Sequence, residues 1–558
     1  MNLFPRGNRV RLALWLVLGI LLAASPFGDA AAQAGASENE AIKALIARGT
    51  LPELRHPDFR EFQKALDDSY QPGAYAPLWL ASGTTPAMLA ELKDAPSHGL
   101  DPKDYDIAWL EGELNAIGGG DRAPARVARA DVVLTVSFFR LLSDVRDGRV
   151  SPARAGFKLE EPQNRIDLAA VLQRAKATGQ WHEAVVATAP PFVLYRRLEA
   201  ALARYRALAS QPVPALPPLP PGRSKIAPGD VYAGIGALSD RLQLVGDLPA
   251  NFVAPADNKY DGALVDAVRR FQDRHGLKAD GVIGRDTLAQ LAVPFSDRVR
   301  QLELSMERLR WLPKLPPQPL IAVNIPSFRL WAFADAGNDT AAQLTMPVIV
   351  GSAVSARKTP IFIGEMRYIE FSPYWNVPPT IQRAEIVPKL EKDPAYWERE
   401  DLEAVPVSGS ATPITAFNAQ TLEGLKSGTL RVRQRPGPKN ALGAVKFVLP
   451  NTMDIYLHST PAMQLFSETR RDFSHGCIRL SDPPALAAFV LRDQPEWTKE
   501  RIEEAMDSGK SNTAKLTQPL PVLIFYTTAI VDSTGAVRFS SDIYGYDQKL
   551  EDLLRQAT

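Results

Sequence analysis

Residues 212–228 read PVPALPPLPPGRSKIAP, and no continuous helix or sheet can run through them. Each proline removes a backbone donor and holds φ near the polyproline value, so the segment reads as a semi-rigid, extended linker. The 558-residue chain must therefore fold in separate parts on either side of it. Those sides differ in periodicity. Over residues 38–211 apolar residues recur at three- and four-residue spacing, as in VVLTVSFFRLLSDV (132–145), which predicts a helical scaffold domain. Over 297–558 alternation takes over. LIAVNIPSFRLWAF (320–333), the run 343–350 ending at Gly351, and shorter runs at 446–448, 454–457 and 522–526 predict strands between Gly and Pro turns. A charged stretch at about 382–436 interrupts them and predicts a helical insertion, placed as a lid over a mainly β domain. Between linker and strands, residues 229–296 put Leu264, Val268 and Phe271 on one helical face with Gly276 as its cap, predicting a small helical module. The expected class is multidomain α+β.

The first 34 residues read as a signal peptide. Arg6, Arg9 and Arg11 precede a short apolar run at 12–24, and Ala30, Ala31 and Ala32 offer a cleavage site. That run is shorter than a spanning helix needs, so the expected location is the periplasm, with the membrane met only through this transient segment. Lys+Arg (64) and Asp+Glu (63) nearly cancel, which leaves no electrostatic footprint for nucleic acid. The chain has one cysteine, Cys477. Exported proteins usually pair their cysteines, so an unpaired thiol is either a buried bystander or a reactive group.

Its surroundings favour reactivity. Cys477 lies in SHGCIRLSDPPAL (474–486), downstream of IYLHST (455–460). Gly476 permits a tight turn or close substrate approach, and the amides of His475, Gly476 and Cys477 are candidate oxyanion donors. If 474–480 is extended, His475 and Arg479 share a face with the thiol, and two cations there favour thiolate. His458 ends a strand candidate and can serve as general base, with the carbonyl of Ser459 orienting it. Asp482 followed by two prolines reads as a helix N-cap. One Cys and two nearby His are too few for a zinc site, no G-x-S-x-G elbow is present, and no metal or cofactor is expected.

His458, fifteen residues, then Ser474-His475-Gly476-Cys477, an apolar residue and Arg479 together resemble the signature of the L,D-transpeptidase (YkuD-like) catalytic domain. Further matches are Gly351 with RKTP (357–360), YWNVP (374–378), QRPG (434–437), NALG (440–443) and Lys446-Phe447. Residues 260–291 are similar to the peptidoglycan-binding type 1 domain, through Phe271, Gln272, Gly276, Asp280, Gly281 and Gly284 among others. PLWL (77–80) and HGLDPKDYD (98–106) resemble the scaffold of the family's large branch. The resemblance implies that Cys477 attacks the bond between meso-diaminopimelate and the terminal D-alanine of a peptide stem. A second diaminopimelate amine then resolves the thioester into a 3→3 cross-link. It further implies peptidoglycan stems and glycan as partners, and substrate contacts from Ser474, Asn440, Tyr374 and Trp375. Partners among cell-wall synthesis proteins are not legible. Two alternatives stay open: an L,D-carboxypeptidase, in which water resolves the thioester, and a non-catalytic wall-binding scaffold.

Overall fold

The computed structural model describes residues 38–80, 82–159, 166–313, 318–335, 342–408 and 412–556; the signal-peptide segment lies outside them. Among the described residues no helix is long and apolar enough to cross a membrane. They form two compact units, one built from residues up to 88 with 106–137, the other from 89–105 with everything after 137.

In the first unit a buried carboxylate organises the loop carrying PLWL. Asp131 accepts the backbone N–H groups of Leu78, Trp79 and Leu80, and the hydroxyl of Tyr70 donates to it at 2.8 Å. Four donors on one buried carboxylate satisfy what burial would otherwise leave exposed to desolvation.

The second unit contains a nine-stranded sheet. We label its strands, with those of the lid, β1 (Leu320–Asn324), β2 (Arg329–Phe333), β3 (Leu344–Gly351), β4 (Phe362–Phe371), β5 (Trp375–Asn376), β6 (Leu402–Pro406), β7 (Leu430–Gln434), β8 (Val445–Val448), β9 (Leu457–His458), β10 (Asp472–Ser474), β11 (Ile478–Leu480) and β12 (Asn512–Phe525). The order is β10-β3-β11-β9-β8-β4-β12-β1-β2, and an added pairing of β2 with β3 closes the sheet on itself. The alternation at 320–333 thus resolves into a hairpin. Strand β4 was not legible as a strand, and β12 runs 14 residues where only its end was. The helix Pro483–Val490 starts as its sequence suggested, with the side chain of Asp482 accepting the N–H of Ala485 at 3.1 Å.

Three expectations need correction. The insertion is not simply helical. Strands β5, β7 and β6 form a separate three-stranded sheet, and Val377, Ile386, Val387, Leu390, Trp397, Leu402, Ala404, Leu425 and Val432 make a core of its own. The alternation of Arg431 and Arg433 with Leu430 and Val432 in β7 already carried a strand signal within this charged stretch. Nor is the proline-rich segment only a semi-rigid linker. Val213, Leu216 and Leu219 pack on a core, and the hydroxyl of Tyr232 donates to the carbonyl of Pro217 at 2.6 Å. Finally, residues 229–296 do not close a core alone. Leu264, Val268 and Phe271 share one with the helix Val193–Ala209, with the helix Phe295–Arg310, and with a C-terminal hairpin, β13 (Ala529–Val531) and β14 (Val537–Phe539). His275 stacks on Phe271 at 3.8 Å between centroids, and Arg274, ion-paired with Asp247, also donates to the carbonyl of Val537. A module of this size buries only a modest fraction of its surface and is marginal alone, and here neighbouring elements complete its core.

Candidate active site

The site begins with strand register. Strand β9 runs parallel to β11 with Leu457 opposite Ile478 and His458 opposite Arg479. Side chains two apart on a strand share a face, so His458 and Arg479 stand on one face, with Tyr456 before the one and Cys477 before the other. The N–H of Ile478 donates to the carbonyl of Tyr456 at 3.1 Å, extending the ladder to the cysteine. The rings of Tyr456 and His458 meet edge to face, 5.7 Å between centroids.

Each group is held from behind. Nδ1 of His458 lies 2.5 Å from the carbonyl oxygen of Ser459; a carbonyl only accepts, so the proton sits on Nδ1 and Nε2 keeps its lone pair. Gly443, at φ +62, passes close behind, and a Cβ there would meet Oγ of Ser459 at 2.5 Å. The turn before β9 is built by Asn451, whose Oδ1 accepts from Met453 and Ile455 while its amide donates to the carbonyls of Leu449 and Ile455. Within it Asp454 holds φ +54, a conformation costly for a residue with a Cβ, and turns its carbonyl to accept from the thiol at 3.5 Å.

The loop of Cys477 is clamped from two sides. Ser474, which is buried, donates its hydroxyl to the carbonyl of Cys477 at 2.5 Å and accepts the N–H of Gly476 at 3.1 Å. The hydroxyl of Thr359 accepts from the N–H of Gly351 at 2.8 Å and donates to the carbonyl of Gly476 at 2.7 Å. A Cβ on Gly351 would fall 1.9 Å from the carbonyl oxygen of Arg357, so only glycine admits this approach.

Four placements depart from the sequence reading. The amide of Gly476 is already engaged, which removes it from the oxyanion donors; among the described residues no acceptor takes the N–H of His475 or Cys477. Ser474 braces the turn from inside, its buried hydroxyl committed to Cys477 and Gly476. Asn440 is likewise buried, its amide donating to the carbonyls of Pro373 and Arg435, both at 3.0 Å, and its Oδ1 accepting from Leu442 at 2.8 Å. It too is structural. His475 does not flank the thiol: φ +128 at Gly476 breaks the strand alternation, and Nε2 of His475 turns to Glu385 in the lid at 2.6 Å.

The thiol is also less acidic than its neighbours suggested. Cys477 is half-buried, and desolvation pushes its pKa up. The N–H and hydroxyl of Tyr456, then Lys446 and Arg479, act to lower it without overcoming burial. Burial, reinforced by the Arg479 charge, holds His458 down to about 3. The resting pair is a neutral thiol and a neutral imidazole. Burial also lowers the pKa of Arg479, and its buried Nε has no hydrogen-bond partner among the described residues.

Tyr456 and Lys446 were missed. Burial raises the Tyr456 phenol far above its usual range, so it stays protonated beside the sulfur; Cys477 raises it further and the Trp375 side chain acts to lower it. Lys446 lies 4.7 Å from the Tyr456 ring centroid and pairs with Glu370 at 3.1 Å. The alternation Tyr456-Leu457-His458 already carried the signal for Tyr456. Trp375 thus reaches the site through Tyr456, whereas Tyr374 stacks under the guanidinium of Arg433 at 4.2 Å. In the module, Phe271 and Gln272 are buried, Gln272 bonding to Val282, Thr287 and the N–H of Gly281, while Gly276 (φ +65) and Gly281 (φ +73) serve turns. Asp280 caps that turn through the N–H of Val282, and Gly284 pairs with Lys225. The matched residues specify the module's fold and leave Phe271 and Gln272 no surface for a glycan.

Residues 318–505 match the family model of the L,D-transpeptidase catalytic domain. Residues 64–202 match a scaffold-domain model, and 233–291 match a model described as "Putative peptidoglycan binding domain". A Haemophilus influenzae protein described as "Putative L,D-transpeptidase" is 30% identical over 255 residues, 46% of this chain and 50% of the relative. The chain thus spans about half the length of the curated relative it matches. A crystal structure of the L,D-transpeptidase (residues 123–326) from Xylanimonas cellulosilytica is 16% identical and covers 55% of this chain and 100% of its own, with a TM-score of 0.17, too low to bear on the fold.

Proposed function

We propose that this protein is an exported peptidoglycan L,D-transpeptidase acting in the periplasm, with Cys477 as nucleophile and His458 as general acid and base. The observation that carries the reading is the shared face of Tyr456, His458, Cys477 and Arg479, with the His458 tautomer set by Ser459. Nε2 of His458 takes the thiol proton as sulfur adds to the carbonyl joining meso-diaminopimelate to D-alanine. Charge developing on oxygen is met by the amide of Cys477. Collapse breaks the C–N bond; D-alanine leaves with the proton from His458, and a thioester remains. The side-chain amine of a second stem then attacks, His458 removes its proton, and the thiolate departs to be reprotonated, giving the 3→3 amide. Arg479, on the same face, supplies a guanidinium charge for a stem carboxylate, and the neutral resting pair means that the proton moves with the attack rather than before it. The domain matched at 233–291 holds the enzyme to the wall.

The test is product analysis by chromatography and mass spectrometry of purified enzyme with disaccharide-tetrapeptides. Cross-linked dimers with free D-alanine are expected from the native chain and neither from Cys477→Ala. Undiminished cross-linking by that variant would place the nucleophile elsewhere.

A further inference from the structure

The lid meets the catalytic loop through a carboxylate that the proposed chemistry does not use. Its first turns widen into a π-helical segment, Gln382–Ile386, anchored to the lid core by Gln382. That buried amide donates to the carbonyls of Leu425 and Leu430 and accepts the N–H of Val432 at 2.9 Å. Ile386 and Val387 fill the same core. Such a wide turn is unfavourable in isolation and recurs at functional sites, because it re-aims one side chain. Here that side chain is Glu385.

Oε1 of Glu385 sits 2.6 Å from Nε2 of His475 and 3.1 Å from Nη2 of Arg357. Both partners belong to the loop pair that shapes the cysteine turn. His475 stands two residues before Cys477, and the carbonyl of Arg357 lies against Gly351 and 3.9 Å from where a Cβ of Gly476 would be. Of the neighbouring cations, Lys358 donates to the carbonyl of Tyr544 and Arg383 to that of Pro379. Glu385 therefore ties lid to catalytic loop through two charge-assisted bonds that converge on one oxygen.

We propose that Glu385 is a positioning residue that latches the lid onto the Ser474–Cys477 turn, aligning the thiol and keeping water from the acyl-enzyme. The inference rests on the transpeptidase reading. At the thioester two reactions compete. An amine forms an amide, losing a proton to His458 as the thiolate leaves; water forms a carboxylic acid by the same proton transfer. With the latch closed the amine wins, since the lid excludes bulk water; with it released, hydrolysis gains.

The experiment compares the native chain, Glu385→Gln, His475→Gln and the double variant. One readout is the ratio of cross-linked dimer to trimmed tripeptide, and the other is single-turnover acylation of Cys477 by a β-lactam, followed by intact mass. Glu385→Gln keeps the size and removes the charge. It should slow acylation about tenfold through misalignment of the turn and shift products several-fold toward the tripeptide, with an unaltered melting profile. In the His475→Gln background the same substitution should do less, because the partner on the cysteine turn is gone and only Arg357 remains. A native ratio and rate in Glu385→Gln would overturn the latch while leaving the transpeptidase reading intact. So would an equal effect with and without His475. If the native chain itself gives neither adduct nor dimer, the underlying reading falls and the latch with it.

Discussion

Phe271 and Cys477 both sit in the most recognisable stretches of their regions, yet the two stretches behave oppositely. Around Phe271 the matched residues face inward: the ring lies in a core shared with three other elements, and Gln272 spends its amide on backbone and Thr287. Around Cys477 the matched residues divide. Ser474 and Asn440 turn inward to hold loops, while Cys477 and His458 share a face with groups that tune them. A recognisable motif thus marks either a fold or a site, and burial with hydrogen-bond accounting separates the two.

The sharpest way to break the contrast is to remove a residue from each side. Cys477→Ala should cut D-alanine release by about a thousandfold or more with a native melting profile, read by end-point product analysis. Asp247→Ala leaves Arg274 buried without its carboxylate, which should cost about 3–5 kcal/mol in denaturant unfolding and weaken sacculus binding only through unfolding. On the same grounds, residues 229–296 expressed alone should show no cooperative transition, because β13, β14 and two helices complete their core. Gln272→Ala strands buried partners and should destabilise by about 1–3 kcal/mol, with acylation by a β-lactam unchanged below the melting transition.

Two finer measurements sharpen the catalytic side. Tyr456→Phe keeps the ring against His458 and removes the hydroxyl at the sulfur, so Cys477 acylation should slow about tenfold with stability nearly native. Burial sets His458 at about 3 against 6.5 for the free side chain. Between those values the unfolded chain binds a proton that the folded chain refuses, so this contribution to stability is complete above about pH 6.5 and is lost as pH falls toward 3. The slope is at most about 1.4 kcal/mol per pH unit. His458→Gln should flatten the pH dependence of the unfolding free energy, from urea titrations between pH 6.5 and 4, by up to that slope; an unchanged slope would mean that His458 titrates normally.

Much of this was legible beforehand because periodicity and spacing are local. The hairpin at 320–333, the Asp482 cap and the pairing of His458 with the Cys477 loop all follow from residues close in sequence or joined by a short strand pair. What escaped depends on distant partners. The Tyr544 hydroxyl donates to the carbonyl of Gly351 across 193 residues, and no window of sequence reports it. The electrostatic expectation failed for a related reason. Cations near a thiol can be read from spacing, but the desolvation that outweighs them is a property of the folded recess. His475 misled because one glycine at φ +128 cancels the alternation that placed it beside the thiol.

The raised pKa of Cys477 has a consequence for the lifetime of the molecule. Peroxide and other oxidants react with thiolate far faster than with thiol, and a cysteine without a second one nearby has no disulfide to fall back on before it reaches the irreversible sulfinic state. Held protonated against the carbonyl of Asp454, the sulfur presents little of the vulnerable form at rest. Under the proposed chemistry its reactivity is raised only as a bound acyl donor draws the proton to His458, so the arrangement that slows the resting thiol would also preserve it between turnovers.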